Sequence, residues 1–195
     1  MTVFEEAIRF AAEAHSGQRR RRENTPYILH PLEVAAIVGT MSADEALLAA
    51  AVLHDTVEDT AVTAEEIRER FGPRVAALVA SETENKREEL PPEDTWLIRK
   101  QESLEELRQA EDPAVKLLWL GDKLSNMRSF HRNWKKSGND LWKSFHQPDP
   151  AMQAWYYRSI ADILEDLREL DAWQEYHTLV EIVFEGVDEN GKTEL

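Results

Sequence analysis

The sequence predicts an all-α protein, and two observations support this prediction. Apolar residues recur at helical spacing from one end of the chain to the other, and alternating β-branched runs flanked by tight-turn dipeptides do not occur. We therefore predict a compact bundle of helices. They are expected at residues 3–15, 31–40, 44–59, 63–70, 72–85, 94–111, 113–134, 149–169 and 171–185.

Most of the expected helices begin at a residue that suits a first turn. The first helix is amphipathic and carries acidic residues early. Thr63 and Glu66 have the spacing of a capping box, and Asp44 and Asp94 precede two other periodic segments. Proline needs no amide partner in a first turn and opens several others, at Pro31, Pro73, Pro113 and Pro150.

Length and composition favour one globular domain over residues 1–195. The chain has 195 residues, of which 42% are hydrophobic and 31% are charged. It contains no cysteine, which excludes a disulfide framework, a thiolate zinc site and a cysteine nucleophile. The formal net charge of −15 argues against nucleic acid as a partner, because phosphate-backbone binding needs a basic surface.

We expect a cytoplasmic protein without a membrane partner. The N-terminal segment, MTVFEEAIRFAAEAH, lacks the basic and apolar regions of a signal peptide, and no apolar run reaches membrane-spanning length. One basic cluster, RRRR at residues 19–22, stands out from the acidic chain. It is either a solvated loop or the receptor for a small polyanion.

The segment LHDTVEDT concentrates ionisable side chains beside an apolar helix. If that helix continues through the segment, His54, Asp55 and Glu58 lie on one face, and Asp59 lies at its edge. An imidazole next to a carboxylate can provide two of the ligands of a divalent-metal site. The alternative is that His54 is an ordinary hydrogen-bonded core residue.

Two other segments offer the ligands that such a site still needs. His30 precedes a predicted helix start, and Asp122 follows the buried-looking segment VKLLWL, with Asn126 one turn later. Apolar helices would hold these groups rigidly and exclude water around a cation. Several ionisable groups beside buried helices are costly without such compensation.

These residues resemble the H…HD…D signature of the HD superfamily of metal-dependent phosphohydrolases. Four segments are similar, in order and spacing, to the hydrolase domain of RelA/SpoT homologues: AHSGQRRRRENTPYILHP, LHDTVEDT, FGPRVAALV and GDKLSNMR. A synthetase domain would not fit in this length, so the chain resembles a small alarmone hydrolase of the Mesh type. The likeness is strong over about residues 3–134. A divergent helical part at 135–185 and a flexible tail at 186–195 are expected to follow.

The resemblance implies a function for each of these groups. The family's metal, typically one manganese ion, would be held by His30, His54, Asp55 and Asp122. The catalytic pair falls on Glu58 and Asp59, either of which could take the proton. The implied reaction is attack of a metal-activated water on the 3′-pyrophosphate of (p)ppGpp, which releases pyrophosphate and GDP or GTP.

The resemblance also implies contacts with a nucleotide substrate, made by Arg20, Arg21, Asn126 and Ser129. Arginine forks bind phosphate and stack on bases, which suits a polyphosphate entering an acidic protein. The loop residues Glu23, Asn24 and Thr25 depart from the family pattern, so the choice between guanine and adenine stays open.

Other functions remain open from the sequence. The same chemistry could act on (p)ppApp, on the 2′-phosphate of NADPH or on a nucleotide monoester. A non-catalytic nucleotide sensor is disfavoured because the acidic pair is retained. A purely structural module would leave the two histidines and Asp122 as unrelated core residues. The sequence carries no signal for an oligomeric state.

Overall fold

The computed structural model describes residues 1–20, 23–87 and 89–187. Within these ranges the regular elements are helical, apart from one isolated bridge between Arg19 and Pro26. The α-helices are α1 Val3–Ala14, α2 Leu29–Gly39, α3 Glu45–Leu53, α4 Thr56–Asp59, α5 Ala64–Phe71, α6 Pro73–Ala80, α7 Pro92–Gln109, α8 Pro113–Ser137, α9 Pro150–Ile163 and α10 Asp171–Val183. Two 3-10 helices span Gly138–Ser144 and Glu165–Leu167. The all-α prediction is confirmed.

Local chemistry explains several helix starts. Thr63 and Glu66 form the expected capping box at the start of α5. The Asp44 side chain accepts a hydrogen bond from the Ala46 amide and caps α3. Proline opens α6, α8 and α9, as the sequence predicts, whereas α2 begins at Leu29, before the expected Pro31.

The long third helix that the sequence predicts is interrupted. α3 ends at Leu53 and α4 begins at Thr56, after a turn formed by His54 and Asp55. Two side chains contact backbone carbonyl oxygens here. His54 Nδ1 lies 2.9 Å from the Ala51 oxygen, and the Thr56 hydroxyl donates to the Leu53 oxygen at 2.6 Å. Such side-chain bonds compete with the helical ladder.

The contacts divide the chain into two compact units. The first comprises Met1–Glu84 and Ala110–Ser125. Its central helix is α3, which packs against α1, α2 and α6, while α5 packs against α6. The buried side chains of α3 are apolar on all sides, namely Leu47 and residues 49–53, as expected of a helix enclosed by others. This core fixes the end of α3, where His54 lies.

The second unit, Asn85–Gln109 with Asn126–Leu195, has an aromatic core. Here α9 packs against α7 and α10. Trp142 and Phe184 are buried and stack with ring centroids 5.2 Å apart. The division between the units falls within α8, so this helix contributes residues to both.

Some expectations stay untested. The single domain over residues 1–195 remains a prediction, and the tail expected at 186–195 lies largely outside the described residues. In the ranges that the structure describes, no helix combines the length and the apolar character needed to cross a membrane.

Candidate metal centre

Three parts of the first unit bring imidazole and carboxylate atoms together. His30 lies in the first turn of α2, and His54 and Asp55 form the turn before α4. Asp122 lies in α8. The Nε2 atom of His30 is 3.0 Å from Asp122 Oδ1 and 3.5 Å from Asp55 Oδ2. The corresponding distances from His54 Nε2 are 3.6 Å and 3.1 Å.

Both imidazoles are oriented through their other ring nitrogen. His54 Nδ1 faces the carbonyl oxygen of Ala51, which can only accept, so this nitrogen carries the proton. His30 Nδ1 is 2.9 Å from Ser125 Oγ, and that hydroxyl donates to Glu33 Oε2 at 2.8 Å. Ser125 therefore accepts from His30. When both imidazoles are neutral, each Nε2 atom therefore presents a lone pair, as metal ligation requires.

The two oxygens of the buried Asp122 side chain have different surroundings. Oδ1 faces the imidazoles, whereas Oδ2 is bound by the ammonium group of Lys123. Burial acts to raise the pKa of Asp122, but Lys123 and both imidazoles outweigh it and hold this pKa well below its usual range. The Asp122 carboxylate is therefore ionised at neutral pH.

The histidines respond differently to the same environment. Burial lowers the pKa of His30 against the opposing effect of Asp122, and the positive charge of Arg20 lowers it further. Burial also acts to lower the pKa of His54, but Asp55 and Asp122 outweigh it and raise this pKa well above its usual value. A cation that binds here must therefore compete with a proton at His54.

The donor set fits a divalent cation. One ligand atom from each of His30, His54 and Asp122 lies within 4.8 Å of the others. The His54 Nε2 atom is buried, and no group among the described residues forms a hydrogen bond of suitable geometry with it. Such a nitrogen beside carboxylates needs a partner, and a cation supplies one. Mixed imidazole and carboxylate donors suit a borderline divalent metal.

Tyr27, which sequence reasoning missed, connects this centre with the acidic pair. Its hydroxyl lies 2.6 Å from Asp55 Oδ2 and 3.1 Å from Asp59 Oδ2. Burial and these two carboxylates raise the pKa of Tyr27, so the hydroxyl keeps its proton. Gln18 Nε2 donates to the backbone carbonyl of Asp59 at 2.7 Å. Asp59 is thus fixed next to Asp55. The available signal for Tyr27 was its place in YILHP.

Glu58 has a different environment from Asp59. Both lie in the single turn of α4, but Glu58 is half-buried and Asp59 is exposed. Glu58 Oε2 accepts from the Glu84 amide over a long 3.4 Å. Asp59 therefore lies close to Asp55 through their shared contact with Tyr27, whereas the printed contact of Glu58 is with the Glu84 amide.

Comparisons with known proteins show the family of this chain. The family model described as HD domain matches residues 7–152. The chain belongs to the HD-domain family. The assignment of the signature's histidine–aspartate pair to His54-Asp55 remains a prediction.

Two relatives of this HD domain are named as 3′-pyrophosphohydrolases. It is 43% identical over 126 residues to the guanosine-3′,5′-bis(diphosphate) 3′-pyrophosphohydrolase of Aquifex aeolicus (strain VF5), over 65% of this chain and 17% of that protein. It is 43% identical over 130 residues to the Mus musculus guanosine-3′,5′-bis(diphosphate) 3′-pyrophosphohydrolase MESH1, over 65% of this chain and 69% of that protein. The chain thus spans 17% of the longer relative.

Two solved structures resemble the HD domain over most of its length. A metazoan SpoT ortholog described as hydrolysing ppGpp matches with a TM-score of 0.70 and 28% identity, covering 94% of each chain. A Listeria monocytogenes EGD-e protein matches with a TM-score of 0.69 and 36% identity, covering 82% of this chain and 98% of that one. The predicted likeness to the hydrolase domain of RelA/SpoT homologues is confirmed.

The basic cluster at residues 19–22 lies in the segment between α1 and α2. The Arg20 amide donates to the Thr25 carbonyl, and the Arg20 carbonyl accepts from the Asn24 amide, both at 2.9 Å. Asn24 has a φ of 52°, which lets the loop reverse direction within a few residues. Arg20 is half-buried, and its charge acts on the pKa of His30. The other predicted arginine, Arg21, lies outside the described residues.

Asn126 and Ser129 lie further along α8 and belong to the second unit. Ser129 is buried, and its carbonyl accepts from Asn133 Nδ2 at 2.9 Å. Between them, Arg128 forms a two-pronged ion pair with Glu175, with both contacts at 2.6 Å. The substrate roles of Asn126 and Ser129 remain predictions.

Proposed function

We propose that this HD domain hydrolyses the 3′-pyrophosphate of (p)ppGpp to pyrophosphate and GDP or GTP. The convergence of His30, His54 and Asp122 ligand atoms within 4.8 Å supports this most directly, with Asp55 beside them. Relatives in the same family are named for that reaction, and the chain covers 69% of one of them.

The proposed cofactor is one divalent cation, Mn²⁺, held by His30, His54, Asp55 and Asp122. Two imidazoles and two carboxylates suit such a metal, and the sequence offers no thiolate. When bound, the cation would lower the pKa of a water molecule and stabilise charge on phosphoryl oxygens. The chain's own part is to hold the donors rigidly, which the Nδ1 contacts of both imidazoles do.

Glu58 is proposed as the general base that takes a proton from the attacking water. Its carboxylate is half-buried, and the amide contact that it accepts is long, at 3.4 Å. Asp59 is instead tied to Tyr27 and Gln18, which suits a positioning role. A carboxylate one helical turn from the ligands can reach a water at the centre.

The proposed substrate contacts are Arg20 and Arg21 for the phosphates, and Asn126 and Ser129 for the nucleoside. The guanidinium groups of the two arginines would attract a polyanion that a protein of net charge −15 otherwise repels. Location in the cytoplasm, and the absence of nucleic-acid and membrane partners, also remain predictions.

Product analysis tests this function. The protein is stripped with EDTA, restored with Mn²⁺ and incubated separately with ppGpp, pppGpp, ppApp and NADPH, and the products are separated by ion-exchange chromatography. We expect pyrophosphate with GDP or GTP from the two guanine substrates. Orthophosphate from NADPH alone would contradict the proposal, and binding of ppGpp without any product would indicate a sensor.

A further inference from the structure

Lys123 is a half-buried cation directly beside a proposed metal ligand. Its side chain is 12% exposed, and its ammonium group contacts Asp122 Oδ2. Glu82, whose side chain is 3% exposed, accepts from the same group through Oε2 at 3.3 Å. The ammonium also lies 4.4 Å from the centroid of the Trp119 ring. The sequence assigned no role to Lys123, Glu82 or Trp119.

The surroundings of Lys123 fix the position of its charge. Trp119 donates through Nε1 to the Ser81 carbonyl at 3.1 Å, immediately before Glu82 in the chain, so the ring and the carboxyl group are held together. A cation between the Asp122 carboxylate, the Glu82 carboxyl group and an aromatic face has little freedom to move. Buried ion pairs are weak sources of stability, since desolvation offsets their attraction. The arrangement therefore calls for an explanation other than stability.

As a result, the two carboxylate oxygens of Asp122 face different partners. Oδ1 lies 3.0 Å from His30 Nε2 and 3.6 Å from His54 Nε2, where a shared cation would bind. Oδ2 is occupied by Lys123. A carboxylate held in this way can offer a cation one oxygen, whereas a free carboxylate can offer two.

We propose that Lys123 restricts Asp122 to one-oxygen ligation and thereby makes the centre select small six-coordinate cations over calcium. Calcium takes six to eight oxygen ligands and gains from two-oxygen carboxylates, while smaller cations do not need them. Glu82 and Trp119 act as positioning residues for Lys123. This inference rests on the metal centre of the proposed function, but not on the identity of the substrate.

Metal titration of the EDTA-stripped full chain tests the selectivity. Dissociation constants for Mn²⁺ and Ca²⁺ are measured by isothermal titration calorimetry for the wild type, Lys123→Met, Lys123→Arg and the exposed control Lys143→Met. Changes around a ligand typically alter metal affinity by about 10- to 100-fold. We expect Lys123→Met to lower the ratio of the Ca²⁺ to the Mn²⁺ dissociation constant by about tenfold. Lys123→Arg and Lys143→Met should keep the wild-type ratio.

An unchanged ratio in a folded Lys123→Met variant would overturn the inference. If that variant does not fold, the manganese-loaded crystal structure of the wild type decides the matter. One oxygen of Asp122 should bond the metal while the other stays with Lys123, and two bonded oxygens would refute the assignment. A wild type that binds neither cation overturns the inference together with the metal centre. One that binds manganese without hydrolysing ppGpp removes only the proposed function.

Discussion

Each histidine of the centre is fixed through Nδ1, but only one of these contacts is local. His54 uses the carbonyl of Ala51, three residues earlier in α3, so this contact is local in the sequence. His30 uses Ser125, which is 95 residues away and is itself bound to Glu33. The sequence motif predicts both ligands, whereas the support of His30 depends on how α2 and α8 pack.

Glu58→Gln should separate the chemical step from metal binding. Loss of a general base typically lowers a rate by about 10²- to 10⁴-fold, and we expect kcat to fall in that range with manganese still bound. Asp59→Asn should reduce kcat less, because its proposed role is to position Tyr27. Steady-state kinetics with ppGpp and calorimetric metal titration provide the two readouts. A larger loss from Asp59→Asn would transfer the base role to Asp59.

Arg20→Ala should affect substrate binding rather than the metal. A charged hydrogen bond contributes about 1.5–3 kcal/mol, so we expect KM for ppGpp to rise by about 10- to 100-fold. The Mn²⁺ dissociation constant should change much less than KM, because Arg20 acts on the centre through its charge at His30 and is not a proposed ligand. The matched control is Arg9→Ala, an exposed arginine of α1 paired with Glu13. If KM is the same in both variants, Arg20 belongs to the solvated surface.

Glu82 should make the metal-free protein less stable as the pH rises. Burial raises the pKa of Glu82 from 4.5 to about 8, although Lys123 opposes this. The folded state then binds more protons than the unfolded state between these values, so the free energy of unfolding falls as pH increases through this window. Glu82→Gln should flatten this slope in urea denaturation series with EDTA. The control is Glu169→Gln at an 89% exposed side chain, which should keep the slope.

At the scale of elements, the turn between α3 and α4 is where helical periodicity failed as a predictor. The apolar pattern of α3 continues into LHDTVEDT, so the sequence favours one unbroken helix. Hydrogen bonds from His54 and Thr56 to backbone carbonyls end it instead. These bonds depend on side-chain rotamers, which hydrophobic spacing does not report.

The approach of α8 to α2 depends on a residue without a side chain. A Cβ atom at Gly121 would lie 2.7 Å from Val38 Cγ2 and 3.4 Å from the Val34 carbonyl oxygen. Valine is stiff in a helix, so it cannot easily move away. Gly121→Ala should therefore lower the free energy of unfolding by about 1–3 kcal/mol and weaken the metal centre next to it.

Gly39→Ala provides the matched comparison in α2. Its added Cβ would meet only Leu48 Cδ2, at an ordinary 3.7 Å. Replacing glycine at a permissive site typically stabilises a protein by about 0.4–1 kcal/mol. Chemical denaturation of both variants decides the matter. Equal effects would show that α8 does not need close contact at Gly121.

At the scale of the whole molecule, composition and periodicity predicted the all-α class, and the ordered motifs predicted the family. The predicted ligands His30, His54, Asp55 and Asp122 come from three separate segments, and the first unit brings them together. The contact of Lys123 with Glu82 was not predictable, because these residues are 41 positions apart and carry no spacing signal. Long-range polar contacts of this kind depend on tertiary packing.

The central claim is that one divalent cation is shared by His30, His54, Asp55 and Asp122. An anomalous difference map at the manganese absorption edge, from crystals of the full chain grown with MnCl₂, tests it most directly. The account predicts one strong peak at bonding distance from both Nε2 atoms and from an oxygen of each aspartate. A map with no peak there, or with manganese bound only elsewhere, would contradict it.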